Sequence, residues 1–331
     1  MESNWNGLPF NPISQFYSKK FGEKVYKIPV SIVDTCPNRL GLKGMQTCVF
    51  CDEWGSAARK ESLQIPLKEQ IKTFKNLIQK KFKAKKFLIY FQAYTNSFAK
   101  LSDLQQHFKE AEQSTDVVGF VVGTRPDCVS KSVIELWDSY HKKSFLSVEL
   151  GVQSFFPEHL QFLKRGHSAS SIFESIKKIK QHSDVDIGIH LIFGMPNETE
   201  DQIIETAHLC NQLPITNVKL HHLHVLKNTG LETLWNQGEF KPVSLLEYAK
   251  KVELFLSHLS ARIFVHRLAA FSSRYDELIA PEWSKNKMGT HQFIVDHLRS
   301  QKKFQSIDFK PETNEDLYFQ QQLFKQAQPR A

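Results

Sequence analysis

The stretch VSIVDTCPNRLGLKGMQTCVFC, residues 30–51, sets three cysteines in the spacing Cys36-x11-Cys48-x2-Cys51 directly after a strand-like apolar run. Thiolates so spaced can close on one soft metal centre. A closed structural zinc site takes four ligands; a [4Fe–4S] cluster held by three keeps one iron free to bind a small molecule. Zinc remains the alternative, since C-x2-C pairs serve both metals. It needs a fourth ligand from elsewhere, such as His107, Cys128 or Cys210. Phe50, between the last two cysteines, stands where an aromatic ring can lie against a planar base. Gly41 and Gly44 suit a loop that turns tightly around the centre, because glycine alone takes positive φ freely.

Outward from this loop the chain reads as an enzyme-sized α/β protein. Its 331 residues, 41% of them hydrophobic, suffice for one large core or one core plus an appendage. The longest apolar stretch, Val117–Val122, is strand-sized, and MESNWNGLPF at the N-terminus has no basic region followed by an apolar one. A cytoplasmic protein is expected. The five cysteines fit a reducing compartment, with Cys128 and Cys210 read as buried apolar fillers. A formal charge of +8 points to a polyanionic partner. Lysines concentrate in QKKFKAKKF (Gln79–Phe87) and KKIK (Lys177–Lys180), each late in a predicted helix, where cations also complement the helix dipole without any ligand.

Short β-branched or aromatic runs predict strands at Val30–Asp34, Phe87–Phe91, Val117–Val122, Phe145–Leu150, Ile187–Phe193 and Val218–Leu223. Between them, amphipathic patterns predict helices at Leu67–Phe82, Ser102–Gln113, Ser130–Tyr140, Ala169–Gln181 and Thr199–Leu213. Six alternations imply a parallel sheet. Leu231–Leu259 reads as helix, ARIFVHRL (Ala261–Leu268) as an extended segment, and the amide-rich Lys310–Ala331 as an exposed tail.

The cysteine segment and an ordered series of further motifs resemble the radical S-adenosylmethionine (SAM) superfamily. Within it they resemble the YhcC/YtqA-like group related to the Elongator catalytic subunit. The series comprises YFQAYTNSFA (Tyr90–Ala99), GTRPDC (Gly123–Cys128), VELGVQS (Val148–Ser154), RGH (Arg165–His167), HLIFGMPNET (His190–Thr199) and KLHHLHVLKNT (Lys219–Thr229). The resemblance runs from about Phe16 to about Pro281. It implies a partial (β/α)6 TIM-type barrel over 30–230, a C-terminal α/β extension over 231–309, an N-terminal segment 1–29 and the tail 310–331. The motifs fall where barrel chemistry gathers, just past the C-terminal ends of the strands.

By that resemblance Cys36, Cys48 and Cys51 hold the cluster, SAM chelates its free iron, and one electron from a donor such as flavodoxin or ferredoxin yields a 5′-deoxyadenosyl radical. The polar residues Gln92, Tyr94 and Asn96 lie where the family binds the SAM amino group, with Asn96 preferred. Arg125 suits the carboxylate, which a guanidinium grips bidentately, although Asp127 can simply pair with it. Glu149 and Gln153 are expected to bond the ribose or orient Arg165. Gly194 and Pro196 leave room for adenine to approach backbone. Lys219, His221 and His224 are substrate-side candidates, with alternation setting His222 and His224 on one face and His221 on the other. A second metal site built from these histidines is a minor alternative.

The resemblance also implies a substrate. Its Elongator relationship points to radical modification of a tRNA wobble-uridine side chain, converting carboxymethylaminomethyl to aminomethyl. A small metabolite such as a porphyrin, or an iron–sulfur redox protein without turnover, are the alternatives. Relatives read HRLTGDAP and LAPLWCLNKW where this chain has HRLAAFSSRYDE and IAPEWSKNKM, so a different but related substrate or neutral drift in a lid are both consistent with the change.

Overall fold

A computed structural model describes residues 5–55, 64–271 and 275–311. The chain opens with helix α1 (Ile13–Phe21) and strand β1 (Val25–Val30), then alternates α2 (Leu67–Phe82), β2 (Lys86–Phe91), α3 (Leu101–Glu112), β3 (Val117–Thr124), α4 (Lys131–His141) and β4 (Phe145–Gln153). It continues through α5 (Pro157–Phe162), α6 (Ala169–His182), β5 (Asp186–Phe193), α7 (Glu200–Gln212), β6 (Asn217–His222) and β7 (Val225–Leu226). The last elements are α8 (Gly230–Asn236), α9 (Leu245–His258), β8 (Phe264–Val265), β9 (Leu278–Ala280) and α10 (Lys287–Ser300).

Seven strands form one sheet in the order β1-β2-β3-β4-β5-β6-β8, and every pairing in it is parallel. This is the expected partial barrel, widened by β8 from within ARIFVHRL. The small antiparallel pair β7–β9 stands beside it. Helices cover the outer face, where Phe87, Phe91, Phe108, Phe120 and Trp137 are buried in the main core; each such side chain contributes about 1.5–3 kcal/mol by leaving water. Local capping agrees with the boundaries: Ser130, Ser168, Thr199 and Ser244 each accept a backbone N–H at a helix start.

Two expected elements move. The first strand is 25–30 rather than Val30–Asp34. VYKIPV tolerates Pro29 because β1 is an edge strand and the missing N–H faces no partner, which frees residues 31–35 to lead into the cysteine loop. The helix expected over Leu231–Leu259 breaks into α8 and α9, since Gly238 turns with φ 75° and Pro242 cannot continue a helix. Most of the expected tail, from residue 312, lies outside the described residues, as do Ser272, Ser273 and Arg274 of the divergent segment.

Below the barrel, α1 closes the N-terminal ends of the strands. Ile13 and Tyr17 pack on Leu88, Tyr90, Val121 and Phe145, and Phe16 touches Phe145 and Phe264 at ring-centroid separations of 6.0 and 5.2 Å. The barrel therefore opens at the rim where the strands end.

Candidate active site

Cys36, Cys48 and Cys51 line one cavity of about 920 Å³ at that rim. All three are free thiols, and burial, followed by the neighbouring Cys48, pushes Cys51 up to about 12. Three thiols gathered on one cavity wall are a fitting donor set for a cationic centre. Guanidinium groups stand by them: Arg165 Nη1 donates to Cys48 Sγ at 3.5 Å, and the Arg39 guanidinium lies 5.2 Å from the Tyr94 ring centroid. The Arg165 Nε is buried without a partner and the Arg39 Nε likewise. The loop holds its shape through Gly41 and Gly44, at φ 63° and 75°, as their place in the sequence suggested. Tyr94 clamps it from β2: its hydroxyl donates to the Glu53 carbonyl at 2.6 Å, and a Cβ on Gly55 would meet the Tyr94 ring at 2.5 Å. Among the described residues no group of three His, Cys, Asp or Glu is placed to share a single metal ion.

The residues suggested for SAM divide in two. Gln92, Tyr94, Arg125, Glu149 and Gln153 line the cavity with Phe50. Asn96 does not. It is fully buried, and its Nδ2 donates to the carbonyls of Phe91, Ala93 and Gly123 at 3.0, 3.3 and 2.8 Å, tying β2 to β3. Gly194 also lies outside the lining, with its N–H donated to Glu198 Oε2 at 2.8 Å. The Asn96 Oδ1, however, is buried without a partner. Arg125 reaches the cavity, but four of its five N–H groups are engaged. It forks onto Asp127 at 2.9 Å through Nε and Nη2, donates to Asn38 Oδ1, and gives the Arg165 carbonyl a bond of 2.8 Å. Cys128, expected to be buried, is half-exposed beside Asp127, whereas Cys210 is fully buried.

Inside the barrel Glu149 is the hub. It is 2% exposed and receives Lys27, Lys219 at 2.5 Å and His190 at 2.8 Å. Burial favours its neutral form, but Lys219, Lys27 and His190 outweigh that and hold the carboxyl well below its ordinary range. The lysines differ. Burial drops Lys219 to about 7 against the pull of Glu149, while for Lys27 the pull of Glu149 overcomes burial and raises it. Burial, then Lys219, also lowers His190 to about 4, so its ring is neutral at pH 7. Lys219 Nζ also donates to Tyr90 Oη at 3.2 Å.

Lys219 and His221 share the inner face of β6, two residues apart as strand alternation requires. His222, on the other face of the strand, has its ring centroid 4.2 Å from that of Trp283 at a tilt of 40° and is bonded to Ser284, and it too touches the cavity. His224, past the strand end, lines the cavity. Arg267 Nη2 lies 2.8 and 2.9 Å from the two ring nitrogens of His221, and burial followed by that charge keeps His221 neutral. Sequence reading missed Lys27, His190, Tyr90 and Arg267. The only signals were a lysine inside the apolar VYKIPV and an arginine in an extended run.

The chain matches the Radical SAM superfamily model over residues 30–210 and the Radical_SAM C-terminal domain over 215–300. It is 35% identical over 281 residues to the uncharacterized protein MJ0486 of Methanocaldococcus jannaschii, covering 84% of this chain and 85% of that one. It is 30% identical to YhcC of Escherichia coli, covering 82% and 86%. A tRNA uridine(34) acetyltransferase of Methanocaldococcus infernus is 30% identical over 145 residues, which are 41% of this chain and 26% of that protein. The solved structure of archaeal M. infernus Elp3 superposes with TM-score 0.63 at 18% identity, over 84% of this chain and 63% of that one. The three cavity-lining cysteines and the adjoining unpartnered arginine nitrogens fit the cofactors of that superfamily. The chain belongs to the radical SAM superfamily, as an enzyme that uses a [4Fe–4S] cluster and S-adenosylmethionine.

Proposed function

We propose that this enzyme modifies the side chain of a wobble uridine in tRNA, acting on a carboxymethylaminomethyl group and leaving an aminomethyl group. The observation that carries this reading is the 145-residue similarity to a tRNA uridine(34) acetyltransferase. A cavity of about 920 Å³ supports it, being at the upper end of the range for small-molecule sites and so roomy enough for a base beside SAM. When bound, the cluster and SAM supply the hydrogen-abstracting radical. In this reading Cys36, Cys48 and Cys51 hold the cluster, and Phe50, Gln92, Gln153 and Arg165 contact SAM. Lys219, His221 and His224 face the substrate, with Lys219, at about 7, able to give or take a proton near neutral pH.

The polyanionic partner is met by lysines that the fold leaves exposed. Lys80, Lys81, Lys83 and Lys85 are exposed late in α2 and after it. Lys86 donates to the Phe21 carbonyl, and Lys178 and Lys180 donate to the Val129 and Val185 carbonyls, so those three serve the fold. Modified-nucleoside mass spectrometry of tRNA from a deletion strain tests the reading. Carboxymethylaminomethyluridine is expected to accumulate at the expense of its aminomethyl product. An unchanged nucleoside profile refutes it. With purified protein, changing the four exposed lysines to glutamine should flatten the salt dependence of tRNA binding, by a log–log slope of about 0.7–0.9 for each phosphate that is no longer neutralised.

A further inference from the structure

Arg267 has no carboxylate. Its Nη2 rests on His221, its Nε is a buried donor without an acceptor, and no Asp or Glu among the described residues pairs with it. Its backbone is fixed in the sheet edge, where the Leu220 N–H donates to the Arg267 carbonyl at 3.1 Å, so the guanidinium is set against the cavity rather than swinging in solvent. Lys287, at the start of α10, joins it in the same wall, with Nζ 4.2 Å from the Phe271 ring centroid. A half-buried guanidinium whose Nε is shut off from water and which touches no carboxylate is costly unless an anion completes it.

The remaining charges in the cavity do not supply that anion. Its lining carboxylates are Asp52 and Glu149. Glu149 is saturated by Lys27, Lys219 and His190, and Asp52 sits in the cysteine loop, accepting from the Trp54 N–H. Nor does the cofactor end claim Arg267, because Arg39, Arg125 and Arg165 are the guanidinium groups that stand by the cysteines.

We propose that Arg267, flanked by Lys287, is an anion-binding subsite that receives a carboxylate or phosphate group of the substrate. It deepens the proposed function, and rests on that reading only in taking the cavity as the place where substrate binds. A planar guanidinium grips either oxyanion through two parallel N–H bonds, which fixes the distance from the anionic group to the reacting carbon.

The test titrates 5-carboxymethylaminomethyluridine, its methyl ester and its 5′-monophosphate into cluster-loaded, SAM-bound protein, using calorimetry, with the parent and with Arg267→Met. A carboxylate ligand predicts that the acid binds about ten- to hundredfold tighter than the ester. A phosphate ligand predicts instead that the monophosphate gains by that factor while acid and ester bind alike. In either case the advantage should collapse in Arg267→Met. No charge advantage in the parent, or one that persists in Arg267→Met, overturns the subsite. If no nucleoside binds, acetate and inorganic phosphate titrated alone decide. Saturable binding lost in Arg267→Met keeps the subsite while the uridine reading fails, and no binding to the parent overturns the subsite itself. Should Arg267→Met lose its cluster or circular dichroism, Lys287→Gln, at an exposed position, carries the test: it should cut the charge advantage several-fold, and an unaltered advantage overturns the proposal.

Discussion

Replacing Glu149 by glutamine keeps the shape of the hub and removes its charge. In the parent the carboxylate is 2% exposed and bonded to Lys27, Lys219 and His190. Removing one partner of a buried ion pair costs about 3–5 kcal/mol, because the charges left behind stay desolvated. For a chain of this size that corresponds to roughly 4–7 °C in the unfolding midpoint. The pH dependence gives a second signature. Lys219 has a folded pKa of about 7, below its unfolded value, so the unfolded chain binds more protons above that point and stability rises with pH. Lys27 behaves oppositely in the parent: Glu149 raises its pKa, so its contribution is full at neutral pH and is lost only as pH climbs through the raised value. Without Glu149 both lysines are depressed. The Glu149→Gln deficit should be largest near pH 6, where each lysine in the cavity must either carry an unpaired charge or give up a proton that the unfolded chain keeps, and shrink towards about pH 10, where the unfolded lysines begin to lose that proton too. At low pH it shrinks as well, because the parent loses its own carboxylate as pH falls through the depressed Glu149 value. Thermal unfolding followed by circular dichroism from pH 5 to 10 measures this. A midpoint within about 1 °C of the parent at pH 6 would refute the reasoning, since it would put the hub at no more than about 1 kcal/mol.

Cys48→Ala should abolish the cluster, because it leaves one iron with two open positions, whereas Cys210→Ala, in a fully buried position on α7, should retain iron and its absorption; equal iron in both variants would count against the ligand assignment. Arg125→Leu should unfold more easily by about 1–3 kcal/mol, since it leaves Asn38 Oδ1 and the Arg165 carbonyl without their donor; a parent-like midpoint with altered SAM binding would return Arg125 to a ligand role.

The sheet was legible because each strand after the first is an apolar run bounded by polar or glycine residues, and α2 falls where the periodicity places it, at Leu67–Phe82. β1 was displaced because Val30–Val33 is more apolar than VYKIPV, yet the strand needs Lys27 pointing inward to meet Glu149. The three cysteines and the inward pair Lys219 and His221 were legible through spacing and alternation. The framework bonds of Asn96 and Gly194 were not legible, because their partners, the Gly123 carbonyl and the Glu198 carboxylate, are set by tertiary packing and by a loop turn. The Glu149 hub joins residues 27, 149, 190 and 219 across four strands, and no local pattern encodes such a contact.

The two ends of the barrel answer one physical requirement. A radical generated beside the cysteines must meet substrate before water or stray hydrogen donors, and the lysines around Glu149 recover the hydration they lose only through the carboxylate they share. The rim has to stay open for substrate, so the opposite end must be sealed. The aromatic packing of α1 performs that sealing, with Tyr17, Phe16 and Phe21 closing on Phe145, while the Lys27 ammonium stands 6.0 Å over the Tyr17 ring and 4.9 Å over Tyr90. Those rings face the cation with π-electron density and exclude water at the same time. The N-terminal residues that the sequence sets apart as a leading segment thus close the far end of a charged interior in a barrel that is open on its catalytic side.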